Sequence, residues 1–548
     1  MICCKCGAEI ADGSRFCPKC GTSQESPHKK ENILLSKKTF VLLGSVLAVL
    51  LAVILVIILF LNPFGKNETP AVGENSTVAS GTAESSAGSQ AAESSAGGQA
   101  AESSTQQDES TDAAVETETT EEEEYTLLVA APADEAHLLA TPDLKDNGAL
   151  YTVAAGTYLK WYGATETLED HDFYYVNVRD GEGEGYINAD ECVQVDFEPD
   201  MGELKIIGIE NAKYTYDWMV EDLKTLCSEY PDIIRSRVLG KSRDGRDIYE
   251  ATLGNPDAEN HVFAQASIHG REYINTQLVM KLLEYYAHYY DTATLNGVVY
   301  KDLFNKTCIH IVPMSNPDGV VIASQGIDQL NDEYYAELVK ECYARDVYYL
   351  VHELNSRGDW NWNDHYSDET FIRTPDMEII SFDEYQKIWK ANAAGVDLNR
   401  NYDVGWYDLK GHPEESFNNF NGYYPESEPE TQILMKAAQE KDFRAYISYH
   451  SMGQVIYYDA AGNTAATSAA SGELVDKFHS WLRYEPKNNK TAYNVTLGGF
   501  GDWVQLKLNR PSITVESGKH PCPVSADEFP GIWFRHFETW AKLAGEYY

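Results

Sequence analysis

Residues 266–275 read ASIHGREYIN and set His269 and Glu272 three positions apart, where the small and apolar run HVFAQAS gives way to a helical pattern. The run before the pair has the short, unbroken apolar character of a buried strand. After it, INTQLVMKLLEYYAHYY repeats apolar residues at helical spacing and predicts an amphipathic helix. Upstream, YTYDWMVEDLKTLCSEYP reads as a helix and GRDIYEATLG as a strand. Alternation of this kind predicts an α/β fold, a mixed β-sheet with helices on both faces, over residues 209–548. His269 and Glu272 then fall at the carboxyl end of a strand, where open sheets place their sites.

A His-x-x-Glu pair by itself more often sits on a solvated turn than on a metal. Two later strings change that balance. AYISYHSMGQVIYY puts His450 at the end of a second apolar strand, and PSITVESGKH puts Glu516 at the end of a third. Two imidazoles and a carboxylate make the three-ligand site of a hydrolytic zinc, with the fourth position left for water. A further carboxylate can then act as general base.

With these residues in place, the segment 209–548 resembles the zinc metallocarboxypeptidases of the carboxypeptidase A-like family. The resemblance implies a catalytic zinc held by His269, Glu272 and His450, with Glu516 as general base. It matches Asn399 and Arg400 of GVDLNRNYD to the clamp for a substrate carboxylate, and Asp397 to the carboxylate that orients the first metal histidine. Asn316-Pro317-Asp318-Gly319 is a further, structural signature. Two positions depart from the family. Where the family carries an oxyanion-stabilising arginine, KIWKANAAGVDLNR offers Lys390, a point charge without the bidentate fork. The substrate-capping tyrosine corresponds to Tyr493, one residue out of register. Gly501 stands where members specific for basic residues carry Asp, which disfavours that specificity. A long polar and aromatic insertion, CYARDVYYLVHELNSRGDWNWNDHYSDETF, separates Gly319 from Trp389; it reads equally as a pocket lining or a surface elaboration.

The rest of the 548-residue chain is a series of unlike segments. A formal charge of −43, from 86 acidic against 43 basic residues, argues against nucleic acid as a partner. Of ten cysteines, Cys3, Cys6, Cys17 and Cys20 form two C-x-x-C knuckles within residues 1–24, the pattern of a zinc ribbon with a structural zinc; Cys4 is a bystander. The five later cysteines are expected to be mostly free buried thiols, with disulfides among them left open. Thr39 to Leu61 is 23 uncharged, overwhelmingly apolar residues, enough for a transmembrane helix. Lys29, Lys30, Lys37 and Lys38 precede it and only Lys66 follows closely, so the amino terminus is expected in the cytoplasm and the remainder outside. Residues 65–124, with AESSAGSQA and AESSAGGQA in tandem, read as a disordered acidic linker. About 60 such residues reach roughly 40 to 45 Å. Residues 125–197 carry short alternating strands and an Asp180-Gly181 turn, and resemble a bacterial SH3-like barrel.

These segments converge on a membrane-anchored, extracytoplasmic zinc peptidase. Its local strings look most like bacterial members that hydrolyse γ-D-glutamyl-diamino acid bonds in peptidoglycan stem peptides. The alternatives are a surface carboxypeptidase trimming peptide ends and an inactive zinc-binding receptor for wall fragments. The ribbon predicts a cytosolic partner of unknown kind.

Overall fold

The computed structural model describes residues 124–548, apart from positions 134, 182, 209–212, 357–378, 410, 491–496 and 520 and the side chains of 349–356. The ribbon cysteines Cys3, Cys6, Cys17 and Cys20, the apolar stretch 39–61, the linker and Tyr493 lie outside the described residues. Among those described, no helix is long and apolar enough to cross a membrane.

The first described segment is all β, as its alternation predicted. Strands β1 (Thr126–Ala130), β2 (Ala136–Leu139), β3 (Ala149–Val153), β4 (Tyr158–Leu168), β5 (His171–Val178), β6 (Glu184–Asn188) and β7 (Cys192–Gln194) form one antiparallel sheet, ordered β3-β2-β6-β5-β4-β1-β7. No recorded pairing joins the edge strands β3 and β7, so the expected barrel is an open ladder among the described residues. Leu128, Leu138, Leu159, Val176 and Ile187 fill its own small core.

The second segment is built on a mixed sheet of eight strands. These are β8 (Ile234–Lys241), β9 (Asp247–Leu253), β10 (Asn260–Ala266), β13 (Thr307–Val312), β14 (Phe443–His450), β15 (Val455–Tyr458), β16 (Glu485–Asn488) and β17 (Ser512–Glu516), ordered β16-β15-β17-β14-β10-β13-β9-β8. A small separate hairpin, β11 (Thr294–Leu295) and β12 (Val298–Val299), completes the set. The centre, β17-β14-β10-β13, is parallel, and β9 and β15 flank it antiparallel. Apolar cores lie on both faces. The larger includes Leu278, Leu282 and Trp533; the smaller gathers Phe263, Leu434, Tyr446 and Phe500. Helices therefore cover both sides of the sheet.

One expectation needs correcting. The helix Ile274–His288 is not amphipathic in the folded protein: every residue from Ile274 to Ala287 is buried, polar ones included. Its polar side chains instead satisfy the backbone of the segment entering the domain. Lys281 donates to the carbonyls of Leu204 and Ile207, Glu284 accepts from the amides of Ile206 and Ile207, and Gln277 donates to Gly208. A buried polar face is stable only when paired in this way.

The β module is bolted to the larger segment. Glu538 Oε1 accepts from the amides of Asp196 and Phe197, and Arg535 donates to the carbonyls of Asp190 and Leu482. Backbones meet closely here, for a Cβ on Gly531 would stand 1.9 Å from the Pro132 carbonyl oxygen. The later cysteines 192, 227, 308, 342 and 522 are all free thiols; the first, third and fourth are buried, and Cys227 and Cys522 are part-exposed.

Candidate functional site

The parallel strands deliver their site residues to one edge of the sheet. β10 ends at Ala266, and Ser267 turns the chain with a left-handed φ of 51° while its hydroxyl donates to the Glu272 carbonyl at 3.0 Å. The short 3-10 turn Gly270–Glu272 follows. It is pinned from outside: Gly270 N donates to the Lys390 carbonyl at 3.0 Å, and a Cβ on Gly270 would lie 2.3 Å from the carbonyl carbon of Gly319. Only glycine fits there. The Asn316 amide side chain, bonded to the Ile268, Lys390 and Ala391 carbonyls, holds the same junction from below. The Asn-Pro-Asp-Gly string is thus structural, as its resemblance implied.

This turn brings His269 and Glu272 together. His269 Nδ1 lies 2.7 Å from Glu272 Oε1, and His450 Nδ1, from the last residue of β14, lies 3.1 Å from Glu272 Oε2. The ligand-capable atoms of His269, Glu272 and His450 all fall within 4.8 Å of one another, and all three residues are buried. His450 Nδ1 makes no hydrogen bond despite that burial, because its approach to Glu272 has the distance but not the angle of one. An orphaned, inward-facing imidazole nitrogen beside a second imidazole and a carboxylate is the donor set a zinc ion takes. The residues fit the metal.

Charge at the centre is ordered by neighbours. Burial works to raise the Glu272 carboxyl, but His269 and His450 overcome it and hold the group well below the usual carboxylate range. Asp397, also buried, stands 3.3 Å from His269 Nε2 and is likewise held low by His269, Arg400 and Lys390. Its two oxygens accept from the Asn399 and Asn419 amides. Burial pushes the His450 imidazole down, favouring the neutral ring a metal requires.

Around this centre stand the other residues singled out in the sequence. Glu516 closes β17 in direct register with His450 and is half-buried. Asn399 and Arg400 share the 3-10 turn Leu398–Arg400; Asn399 Oδ1 accepts from Phe500 N at 3.0 Å, and Arg400 Nη1 donates to the Asn399 carbonyl at 2.8 Å. Both are half-buried. Lys390 is buried, and its positive charge acts on His269, Asp397 and His450. Nearby, burial raises the Asp502 carboxyl to about 6.

Two positioning residues escaped the sequence reading. Ser451 N donates to Glu272 Oε2 at 3.3 Å, and Asn275 Nδ2 donates to Ser451 Oγ at 2.9 Å. Asn275 lies inside ASIHGREYIN, and a polar residue one position into a buried helix was the available signal.

Over part of its length the chain is similar in sequence to known proteins. A family model described as zinc carboxypeptidase matches residues 219–537, and one described as a zinc-ribbon domain matches residues 2–24. A γ-D-glutamyl-L-diamino acid endopeptidase 1 of Lysinibacillus sphaericus is 27% identical over 325 residues, covering 58% of this chain and 69% of its own. The uncharacterized protein YqgT of Bacillus subtilis is 27% identical over 329 residues, covering 59% and 76%. Among solved structures, the carboxypeptidase A of Helicoverpa armigera overlays with a TM-score of 0.40 at 20% identity, covering 62% of this chain and 74% of that one. Since the zinc carboxypeptidase model spans more than half of the sequence, the chain belongs to the zinc carboxypeptidase family of hydrolases.

Proposed function

We propose that the chain is a membrane-tethered peptidase that hydrolyses cell-wall stem peptides at the γ-D-glutamyl-diamino acid bond. One observation carries the chemistry: a buried His269–Glu272–His450 cluster with an orphaned imidazole nitrogen, and Glu516 in register beside it. The substrate class is supported by the similarity to the Lysinibacillus endopeptidase together with the segment order of this chain. The apolar stretch 39–61 is the anchor, residues 65–124 are the tether, and the large domain works outside the cell, in the wall layer of a single-membrane bacterium. The zinc ribbon at residues 2–24 holds a structural zinc through Cys3, Cys6, Cys17 and Cys20 and stays in the cytosol.

In this reading His269, Glu272 and His450 would hold a catalytic zinc, which when bound would supply Lewis acidity toward a carbonyl and an activated water. Glu516 takes the proton of the attacking water and returns it to the departing amine. Asp397 keeps the His269 ring oriented by facing its Nε2. Asn399 and Arg400, part-exposed at the rim, grip a carboxylate of the diamino acid; the Arg400 fork suits a planar, bidentate partner. Lys390, buried beside the cluster with its charge acting on His269, Asp397 and His450, stabilises the negative charge that develops on the scissile carbonyl as a point cation.

The test is mass-spectrometric digestion of a defined muropeptide mixture by the zinc-loaded full chain beside Glu516→Gln. Release of a diamino-acid-containing fragment, absent with the variant, is the expected outcome. Cleavage of ordinary peptides at their carboxyl ends with muropeptides untouched would replace this reading with the peptide-trimming one. Zinc uptake with no cleavage of either would point to the receptor.

A further inference from the structure

At the amino-terminal end of the parallel strands, away from His269, three more metal-capable side chains converge. His261 is the second residue of β10, and Cys308 and His310 are the second and fourth of β13. The parallel register pairs His261 with Cys308, and strand alternation puts His310 on the same face. Their ligand-capable atoms all lie within 4.8 Å of one another, and all three residues are buried. The far end of β10 is five residues on from His261, roughly 17 Å along the strand, so this cluster is separate from the catalytic one.

The contacts around the cluster set which ring nitrogens face one another. Glu250 accepts from Arg237 and lies 3.0 Å from His310 Nδ1. A carboxylate so engaged offers only lone pairs, so His310 Nδ1 is the donor toward it and Nε2 is the ring nitrogen turned to the rest of the cluster. His310 Nε2 lies 3.0 Å from His261 Nδ1, so two ring nitrogens face one another across the cluster. The Cys308 thiol, whose recorded hydrogen bond is a weak contact of 4.0 Å to the Ile309 carbonyl, completes the group.

We propose that His261, Cys308 and His310 bind a second metal ion in this domain, a zinc-class divalent cation, as a structural staple across β10 and β13. The nitrogen separation suits it, because two nitrogens about 2.0 Å from one tetrahedral zinc stand roughly 3.3 Å apart. The Glu250–His310 contact is the carboxylate–histidine arrangement that fixes a ligand ring's tautomer. On binding, the thiol proton leaves to solvent and the thiolate coordinates. Phe443, with ring centroids 6.4 Å and 5.2 Å from His261 and His310, keeps the site dry.

The experiment uses the full chain carrying Cys3→Ser, Cys6→Ser, Cys17→Ser and Cys20→Ser, which removes the ribbon thiolates, titrated with Co2+ as the probe. The catalytic cluster has only nitrogen and oxygen donors, so a thiolate-to-cobalt charge-transfer band reports the second site. We expect that band together with about two bound ions per chain. Cys308→Ser added to this background should abolish the band and lower the content to about one ion, leaving peptidase activity unchanged. If Cys308→Ser does not fold, His310→Gln must weaken the band instead. Absence of the band, or its persistence in the folded variant, overturns the proposal.

Discussion

His450 and Glu516 are register partners at the last residues of two adjacent parallel strands, β14 and β17. Neighbouring strands run about 4.8 Å apart, so a metal-ligand candidate and a general-base candidate are held side by side by backbone hydrogen bonds rather than by a loop. Replacing Glu516 by Gln keeps the shape and removes the proton acceptor. We expect kcat to fall by about 10²–10⁴-fold with zinc content unchanged, measured by turnover and metal analysis on the same sample. Loss of zinc alongside activity would instead make Glu516 part of the metal's hold.

Asp397→Asn preserves an acceptor for the Asn399 amide but removes the charge facing His269 Nε2. Zinc affinity should drop about 10–100-fold in a chelator competition. Unchanged affinity would mean that the 3.3 Å approach does not orient the ring.

Gly270→Ala tests the close approach beneath the metal pair. The added carbon meets backbone at 2.3 Å on the Gly319 side, so the turn must move. A loss of about 1–3 kcal/mol in unfolding free energy, together with weaker zinc binding, is expected. A stable variant with full metal affinity would show that the junction is softer than its contacts imply.

His536 supplies a pH dependence. It is fully buried with Nδ1 unpartnered, and burial, aided by Arg535, pushes its imidazole down to about 3. In the unfolded chain a histidine titrates near about 6.5. Between those values the unfolded state binds more protons, so the stability this residue contributes is complete above about pH 6.5 and drains as pH falls toward 3. Urea midpoints should decline more steeply from about pH 7 to about pH 5 in the wild type than in His536→Phe. Parallel slopes would rule this out.

Glu538→Ala removes the acceptor of two backbone amides at the module boundary. With Asp196 N and Phe197 N left unpaired, a loss of about 2 kcal/mol or more is expected. Limited proteolysis should then cut near residues 195–208; resistance equal to wild type would count against this contact as the fastener.

Much of the site was legible in the sequence because each key residue ends an apolar strand: His269 follows β10, His450 closes β14 and Glu516 closes β17. Strand ends in a parallel sheet share an edge, so order along the chain translated directly into proximity. The burial of the whole helix Ile274–His288 did not translate, since its polar face is covered by residues 204–208 from outside the periodic segment. The His261–His310 cluster was equally hidden. Its members are 49 positions apart and meet only through the β10–β13 pairing, which no local pattern announces. Lys390 was noticed for its charge, whereas its backbone carbonyl also receives Gly270 N and so helps to hold the metal turn.

The fastening of the β module by Arg535, Glu538 and the Gly531 contact has a mechanical consequence. Module and peptidase share one frame, locked together by these contacts. Anything held by the module's strands would therefore be offered to the His269–His450 edge of the sheet at one fixed height and angle, as a jig presents a workpiece.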